Sequence, residues 1–576
     1  MGTGIASHYL NKERSAMTGR GGLMNQKAEG AVLGFEEIHP PLSAERAAVE
    51  AERCLQCGGE LAPAPCVSAC PSVIDIPRFI REIRDGAPLE AAQTIFASNA
   101  LGGSCARVCP TQELCEGACV MTKEGRRPVE IGRLQRYATD VALETLGTRH
   151  RTKPATHNGL SVGVIGAGPA GLACAEELAC LGYDVTVYEK RALPGGLVTY
   201  GIAPYKQRID PIFEEAERIA TLGIRMRFGI EVGKDVPVEE LFFKHQAVFL
   251  GIGMGPDQPA NLPGEELPGI FESLPLIQEI KLGKPEKLGL ANKRVAVIGG
   301  GNTAIDVGRE LVRIGVREVT LVYRRDEDSM PAYRHEVEAA KAEGVKFQFL
   351  TAPIRFVGKS CVKGIECTQM QLSAPDASGR PKPIPMPGME FVFECDAVVK
   401  AIGQSPLLQM LDSLQVRTDR GRAIVSETFQ SSNPKVFAGG DVINGGTTAV
   451  ESVRHGKLAA RGIDAYLCGH PFELPEPRRA VESAVKHDGP FLKTYQGGYY
   501  VGTSATLCKG CNLCVNSCPA DILFLDGKSK IGITDVAQCV FCGICEMRCP
   551  DFAIWIVKDE SKPHPIEVEA RRRLTL

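Results

Sequence analysis

The chain has 576 residues, 66 basic against 69 acidic side chains and 22 cysteines. Balanced charge excludes a whole-chain field for nucleic acid, and no window approaches 18 uninterrupted apolar residues, so no membrane span is expected. Many cysteines without a basic-then-apolar leader point to thiolates held for metal in a reducing, cytoplasmic setting rather than to disulfides; the length calls for about three to five domains.

Residues 1–44 are Gly- and Ala-rich with weak periodicity and are expected to form an extended arm laid on another part of the molecule. Residues 45–158 are patterned as helix and carry eight cysteines, in Cys54-x2-Cys57-x8-Cys66-x3-Cys70-Pro71 and Cys105-x3-Cys109-Pro110-x4-Cys115-x3-Cys119. The spacing is irregular, yet so many thiols in one short segment predict two metal sites.

Near Leu160 the texture changes to strand–glycine–helix alternation, the mark of α/β architecture. In residues 159–288 the apolar strand Val162–Ile165 runs into Gly166-x-Gly168-x-x-Gly171 and an Ala/Leu-rich helix. Gly166 permits the tight turn, Gly168 admits a pyrophosphate against the backbone, and Gly171 lets helix pack on strand. Phosphates would sit at the helix N-terminus, where unpaired N–H groups and the dipole favour anions. A second strand, Asp184–Tyr188, ends at Glu189, suited to the ribose hydroxyls of an adenosine. Gly195-Gly196-Leu197 follows closely.

Residues 289–404 repeat the pattern: Val295–Ile298 leads into Gly299-x-Gly301-x-x-Ala304, with Asn302 and Thr303 opening the helix. Here the second strand ends in Tyr323-Arg324-Arg325 instead of an acid. A carboxylate accepts from a 2′-hydroxyl and repels a phosphate, whereas guanidinium groups offer bidentate bonds to a 2′-phosphate. This contrast predicts NADP(H) on Gly299, Gly301, Asn302, Thr303, Arg324 and Arg325; two solvated arginines at a strand end are the plainer alternative. A disulfide-reductase reading needs a redox-active Cys-x-x-Cys in this domain, and Cys361 and Cys367 are too far apart to form one.

In residues 405–470, Val436-Phe437-Ala438-Gly439-Gly440-Asp441 begins a last strand–helix step ahead of Thr448. Alone, Gly440-Asp441 would be an ordinary turn. With its partners, the layout resembles two-dinucleotide flavoproteins, in which the downstream Asp holds the ribityl–phosphate part of FAD and the next helix points at the flavin. That resemblance implies FAD on Gly166, Gly168, Gly171, Glu189, Gly196, Leu197, Gly440, Asp441 and Thr448. The NADP domain is then an insertion in the FAD domain.

After a Pro- and charge-containing linker, residues 471–500, a module spans residues 501–560, and a tail of residues 561–576 carries the basic run Arg571–Arg573. The module reads Cys508-x2-Cys511-x2-Cys514-x3-Cys518-Pro519, then Cys539-x2-Cys542-x2-Cys545-x3-Cys549-Pro550. That spacing ligates two [4Fe–4S] clusters, the fourth Cys of each run crossing to the other cluster. Cys508, Cys511, Cys514 and Cys549 are assigned to one, and Cys539, Cys542, Cys545 and Cys518 to its partner. A zinc ribbon needs only paired C-x2-C units, not four evenly spaced thiols followed by Pro, twice.

From about Glu52 to Tyr466 the chain resembles the family of the NADPH-dependent glutamate synthase small subunit and the N-terminal half of dihydropyrimidine dehydrogenase. The likeness rests on Arg53-Cys54-Leu55-Gln56-Cys57, Gly117-Ala118-Cys119, Gly195-Gly196-Leu197 and Gly440-Asp441. It implies two [4Fe–4S] clusters in the helical domain. Cys54, Cys57, Cys66 and Cys119 would hold one. Cys70, Cys109, Cys115 and the amide of Gln135, sixteen residues beyond Cys119, would hold the other, leaving Cys105 a spare buried thiol. One departure stands out: eight residues separate Cys57 from Cys66 where the family usually has fewer.

The expected architecture is therefore multidomain α/β, with an N-terminal helical iron–sulfur domain, two Rossmann-type domains, and a C-terminal α+β ferredoxin-like domain. The resemblance implies an electron-input device: NADP(H), FAD by hydride transfer, then single electrons through four [4Fe–4S] clusters to a partner catalytic subunit or ferredoxin. A 2-oxoacid:ferredoxin oxidoreductase type of complex is the favoured expectation, because such enzymes commonly pair catalytic subunits with a two-cluster ferredoxin. A glutamate synthase small subunit, a dihydropyrimidine dehydrogenase-type input subunit and a flavin-bifurcating ferredoxin:NADP oxidoreductase are the alternatives.

Overall fold

The computed structural model describes residues 35–58, 63–123, 125–146, 156–375, 381–473, 491–493, 499–505, 507–539, 542–551 and 553–558. Most of the expected N-terminal arm, much of the linker and the tail lie outside these. The chain divides into two compact units. One comprises Met1–Ile38, Lys153–Thr447 and His455–His470; the other comprises His39–Thr152, Thr448–Arg454 and Pro471–Leu576. No described helix is long and apolar enough to cross a membrane.

The helical segment of the second unit contains α1 (Ala44–Glu52), α2 (Pro65–Ala69), α3 (Ile76–Arg84), α4 (Pro88–Ser98), α5 (Gly102–Val108) and α6 (Ile131–Leu146). Local chemistry sets their starts. Ser43 and Asp75 accept hydrogen bonds from the N–H groups of Arg46 and Arg78, satisfying donors that a first turn leaves unpaired. Ile76, Phe79, Ile80 and Ile83 recur at helical spacing and are buried. They join Ile95 and Phe96 of α4 and Leu134, Ala138 and Ala142 of α6 in one core, on which Cys54, Cys57, Cys66, Cys115 and Cys119 pack.

In the first unit, β1 (Ser161–Ile165), α7 (Pro169–Cys180), β2 (Asp184–Glu189), α8 (Leu197–Tyr200), β3 (Arg225–Phe228) and β4 (Ala247–Leu250) begin the first Rossmann domain. A second parallel sheet contains β5 (Ile270–Glu272), β6 (Arg294–Ile298), β7 (Glu318–Val322) and β8 (Lys346–Gln348), with α9 (Ser273–Lys281) and α10 (Asn302–Arg313) against it. An antiparallel meander, β9 (Thr351–Gly358), β10 (Val362–Pro375) and β11 (Pro381–Glu394), leads back to β12 (Ala397–Lys400). The chain then returns to the first sheet through β13 (Val436–Ala438), α11 (Asp441–Asn444) and α12 (Ala449–Cys468). Strand order is β13-β4-β1-β2-β3 in the first sheet and β5-β12-β6-β7-β8 in the second, all pairs parallel. The nicotinamide-type domain is inserted in the flavin-type domain.

Two boundaries drawn on the sequence shift. β5 pairs with β12, so the second domain begins before Ile270 rather than at 289; a three-residue edge strand with no Gly-rich turn after it left no signal. Further on, β14 (Phe491–Lys493), β15 (Tyr499–Thr503) and β18 (Ile554–Lys558) form one antiparallel sheet. The ferredoxin module thus starts inside the stretch read as linker. It also holds α13 (Leu513–Asn516), the pair β16 (Leu523–Leu525) and β17 (Ile531–Ile533), and α14 (Ile544–Arg548). Of the arm, the described end packs on the first unit: Phe35 lies on the core of the second Rossmann domain, and Ile38 donates its N–H to the Tyr205 carbonyl.

Candidate functional site

The first glycine turn has the shape its sequence calls for. Gly166 adopts φ +99°, and a side chain there would meet the Gly251 carbonyl at 2.4 Å; at Gly171 a Cβ would lie 1.9 Å from the Gly166 carbonyl oxygen. Strand and helix are thus in backbone contact, which only glycine permits. Gly168 opens on Gly196, whose own Cβ would come within 2.9 Å of the Gly168 Cα. The two loops therefore form one glycine-lined cradle at the start of α7, with Leu197 at the start of α8. Glu189 is buried, and its carboxylate accepts from the N–H groups of Ala167 and Arg191 at 2.8 Å each. It pins the cradle as well as offering a carboxylate edge. Gly440 caps α11, and Asp441 accepts from the Thr447 N–H at 3.4 Å. Thr448 and Glu451 bond reciprocally at the start of α12, a capping box. Gly171→Val is expected to lower flavin content per chain by about tenfold or more, because overlap with rigid backbone costs at least the ~1.4 kcal/mol that a factor of ten represents. Flavin released on denaturation is the measurement.

The second turn is a close copy. A Cβ at Gly299 would strike the Ala401 carbonyl at 2.3 Å, whereas Gly301 faces open space at the start of α10. The Asn302 side chain accepts from the Tyr333 N–H at 2.9 Å, and Thr303 is exposed. The two arginines after β7 part company. Arg324 is exposed. Arg325 is buried and donates Nε to the Pro381 carbonyl at 2.7 Å; its place is beside the turn end of the β10–β11 hairpin, which leaves Arg324, of the two, as the arginine presented to solvent at the ribose end of this fold.

Sequence reasoning missed a buried charged network that ties the two Rossmann domains together. Tyr205 donates to Asp306 at 2.8 Å, and Lys206 pairs with Asp306 at 2.7 Å and Glu336 at 2.8 Å. Lys281 donates to the Val198 and Ile202 carbonyls at 2.7 Å each. Burial lowers the Lys281 pKa to about 7, against the pull of Glu310, Asp306 and Glu37. Burial, then the neighbouring Asp306, pushes Glu310 well above the usual carboxylate range. The available signal was Asp306 and Glu310 spaced i, i+4 on a helix otherwise patterned for burial.

Four thiols of the ferredoxin module, Cys508, Cys511, Cys514 and Cys549, line one pocket together with Ile531 and Ile554. The Cys514 thiol is pushed up to about 11 by burial and by Cys549, Cys508 and Cys511. Burial raises Cys542 to about 12 and Cys545 well above its usual value, and both have Cys518 and Cys539 as thiol neighbours. Cys549 thus lies with the thiols of the first run, and Cys518 with those of the second. In the helical domain Cys54, Cys57, Cys66 and Cys119 line a pocket walled by Ile76, Ile80 and Ile131. Such pockets disfavour thiolates unless a cation compensates, so four thiols around an apolar cavity fit an iron–sulfur cluster. Among the described residues no three Cys, His or carboxylate side chains are grouped to hold a single metal ion.

The remaining group holds a difference from the expectation. Cys70, Cys109 and Cys115 are neighbours, and so is Cys105, which hydrogen-bonds with Cys109 and adjoins Cys70. Cys105 and Cys109 stand one turn apart at α5, which brings their side chains onto one face. Gln135 of α6 is buried and donates Nε2 to the Gly102 carbonyl at 2.7 Å, committing the donor end of its amide and leaving the oxygen as the end able to coordinate.

Comparison with known proteins agrees with this division. Residues 31–146 match the dihydropyrimidine dehydrogenase domain II, 4Fe-4S cluster family, residues 160–456 the pyridine nucleotide-disulphide oxidoreductase family, and residues 507–553 the 4Fe-4S dicluster domain family. The chain is 38% identical to the glutamate synthase [NADPH] small chain of Halomonas elongata, over 75% of this chain and 93% of that one. It is 38% identical to the NADP(+)-dependent formate dehydrogenase subunit beta of Moorella thermoacetica, over 70% of this chain and 60% of that one. It is 37% identical to the NADPH-Fe(3+) oxidoreductase subunit beta of Geobacter sulfurreducens, over 70% and 64% respectively. With the dicluster module matched separately, the chain belongs to the glutamate synthase small-chain family of pyridine nucleotide-disulphide oxidoreductases.

Proposed function

We propose that this chain is a cytoplasmic electron-transfer subunit that moves electrons between NADP(H) and a partner catalytic subunit or ferredoxin, carrying FAD and four [4Fe–4S] clusters. The observation that carries the reading is the presence in one chain of two glycine-turn cradles and two cavities each walled by four thiols. The Gly166–Gly171 cradle with Gly196, Leu197, Asp441 and Thr448 would hold FAD. The Gly299–Ala304 turn with Asn302, Thr303 and Arg324 would hold NADP(H). When bound, FAD accepts a hydride from NADPH and releases electrons singly, and iron–sulfur clusters carry them one at a time. The chain's own task is positioning: hydride transfer needs orientation rather than a protein acid, and the Lys206–Asp306 and Lys281–Val198 ties between the Rossmann domains serve that end.

Relatives named as subunits of glutamate synthase and of formate dehydrogenase support membership of a larger complex. The dicluster module favours a partner handling single electrons, and a 2-oxoacid:ferredoxin oxidoreductase type fits that description. Cofactor choice tests the nicotinamide assignment. With a dye acceptor, kcat/KM for NADPH is expected to exceed that for NADH by about 10- to 100-fold, the range for charge-assisted hydrogen bonds of 1.5–3 kcal/mol. Arg324→Glu should erase most of that preference. Equal kcat/KM for both nucleotides in the unmodified protein refutes the assignment, and co-purification from the native source identifies the partner.

A further inference from the structure

We infer that the ferredoxin module is a captive acceptor of the helical domain, its Cys518, Cys539, Cys542 and Cys545 group facing inward and its Cys508, Cys511, Cys514 and Cys549 group facing the partner. The inference rests on the electron-transfer reading above and gives it a direction within the chain.

The join is specific. The Gly58 N–H donates to the Cys542 carbonyl at 3.1 Å. Around that bond, Val120, Cys542 and Ile544 form a buried apolar cluster with Leu55 and Cys57 packed on it. Val120 is 3% exposed and Ile544 1%. Cys57 and Cys542 each belong to a thiol group described above, so one ligand-bearing loop of each module touches the other. Gly58 is also the first residue of the Cys57–Cys66 loop, whose eight intervening residues depart from the spacing the family usually has. It holds φ +95°, and a side chain there would meet the Ala64 N at 2.8 Å. The departure thus coincides with the docking point. By contrast Cys511 is exposed, as are Asn512 and Leu513 beside it, which gives the outer group a solvent-facing edge.

The electron balance is simple. NADPH becomes NADP+ with release of one proton and two electrons. Each electron leaves the Cys54/Cys57/Cys66/Cys119 site, which is oxidised by one, and reduces the Cys518/Cys539/Cys542/Cys545 site by one. Two passages match one hydride, and a one-electron acceptor protein takes each electron at the Cys511 face.

The test uses full-length, cluster-loaded protein. EPR of the fully reduced form should show spin–spin broadening between one helical-domain cluster and one ferredoxin-module cluster. Ile544→Asp, or Leu55→Asp from the opposite side, should abolish that broadening with iron content unchanged, since a carboxylate cannot stay in an apolar seam unpaired. In rapid-mixing experiments the same variants should slow reduction of the ferredoxin module by NADPH about tenfold or more while flavin reduction keeps its rate. Two independent variants guard against one failing to fold. Unbroadened spectra in the unmodified protein, or full-speed module reduction in both iron-replete variants, overturns the captive arrangement. Absence of flavin reduction by NADPH would instead overturn the electron-transfer reading itself.

Discussion

A chain ending at His470 is expected to fold, retain FAD and reduce a dye with NADPH at the full rate, yet lose essentially all electron exchange with ferredoxin or a partner subunit. The cut falls after α12 and removes every strand of the β14–β15–β18 sheet together, so no sheet is left half-built. The helical domain keeps its own core, which among the described residues draws on positions between Leu42 and Ala142. Among the described residues the cut bares Leu55, Cys57 and Val120 and takes the Cys542 acceptor from the Gly58 N–H, a small patch of the kind a folded surface tolerates. Anaerobic partner reduction beside dye reduction, on the same preparation, is the measurement. Full-rate partner reduction by the shortened chain would move the outlet to the helical domain.

The second large effect concerns the Cys70, Cys109 and Cys115 group, for whose fourth place the family resemblance offers Gln135 and the structure sets Cys105 alongside. An amide oxygen is neutral, so a cluster on Gln135 bears one fewer negative ligand, and ligand charge is a lever on potential. Gln135→Cys should therefore shift the EPR signal or potential of one helical-domain cluster and leave the ferredoxin pair alone. On the four-cluster reading proposed above, Cys105→Ser should keep iron near about sixteen per chain, four for each cluster. Loss of about four irons on Cys105→Ser, with no spectral change on Gln135→Cys, would give the place to Cys105.

The parts legible in the sequence were those written in local patterns. A strand, a glycine turn and a helix are consecutive in the chain, so Val162–Gly171 and Val295–Ala304 could be placed and their close contacts anticipated. What the sequence hid was long-range. Arg325 looked like a solvated phosphate binder because its acceptor, the Pro381 carbonyl, lies 56 residues away. Tyr205 and Lys206 gave no hint that Asp306 and Glu336 would meet them, and β5 carried too few residues to announce its sheet. Cys105 is the reverse case: its i, i+4 relation to Cys109 was readable, and the family pattern drew attention elsewhere.

The interleaving of Cys518 and Cys549 between the two runs has a bearing on biosynthesis. The first run's group is not complete until Cys549 has been translated, and the second run's group is complete only at Cys545, four positions earlier. The Cys54, Cys57, Cys66 and Cys119 group, by contrast, is complete after the first fifth of the chain. Iron loading can thus proceed from the amino end on a nascent polypeptide, whereas the two carboxy-terminal groups become complete within four residues of one another, and a ribosome stalled before Cys545 yields a module that can finish neither.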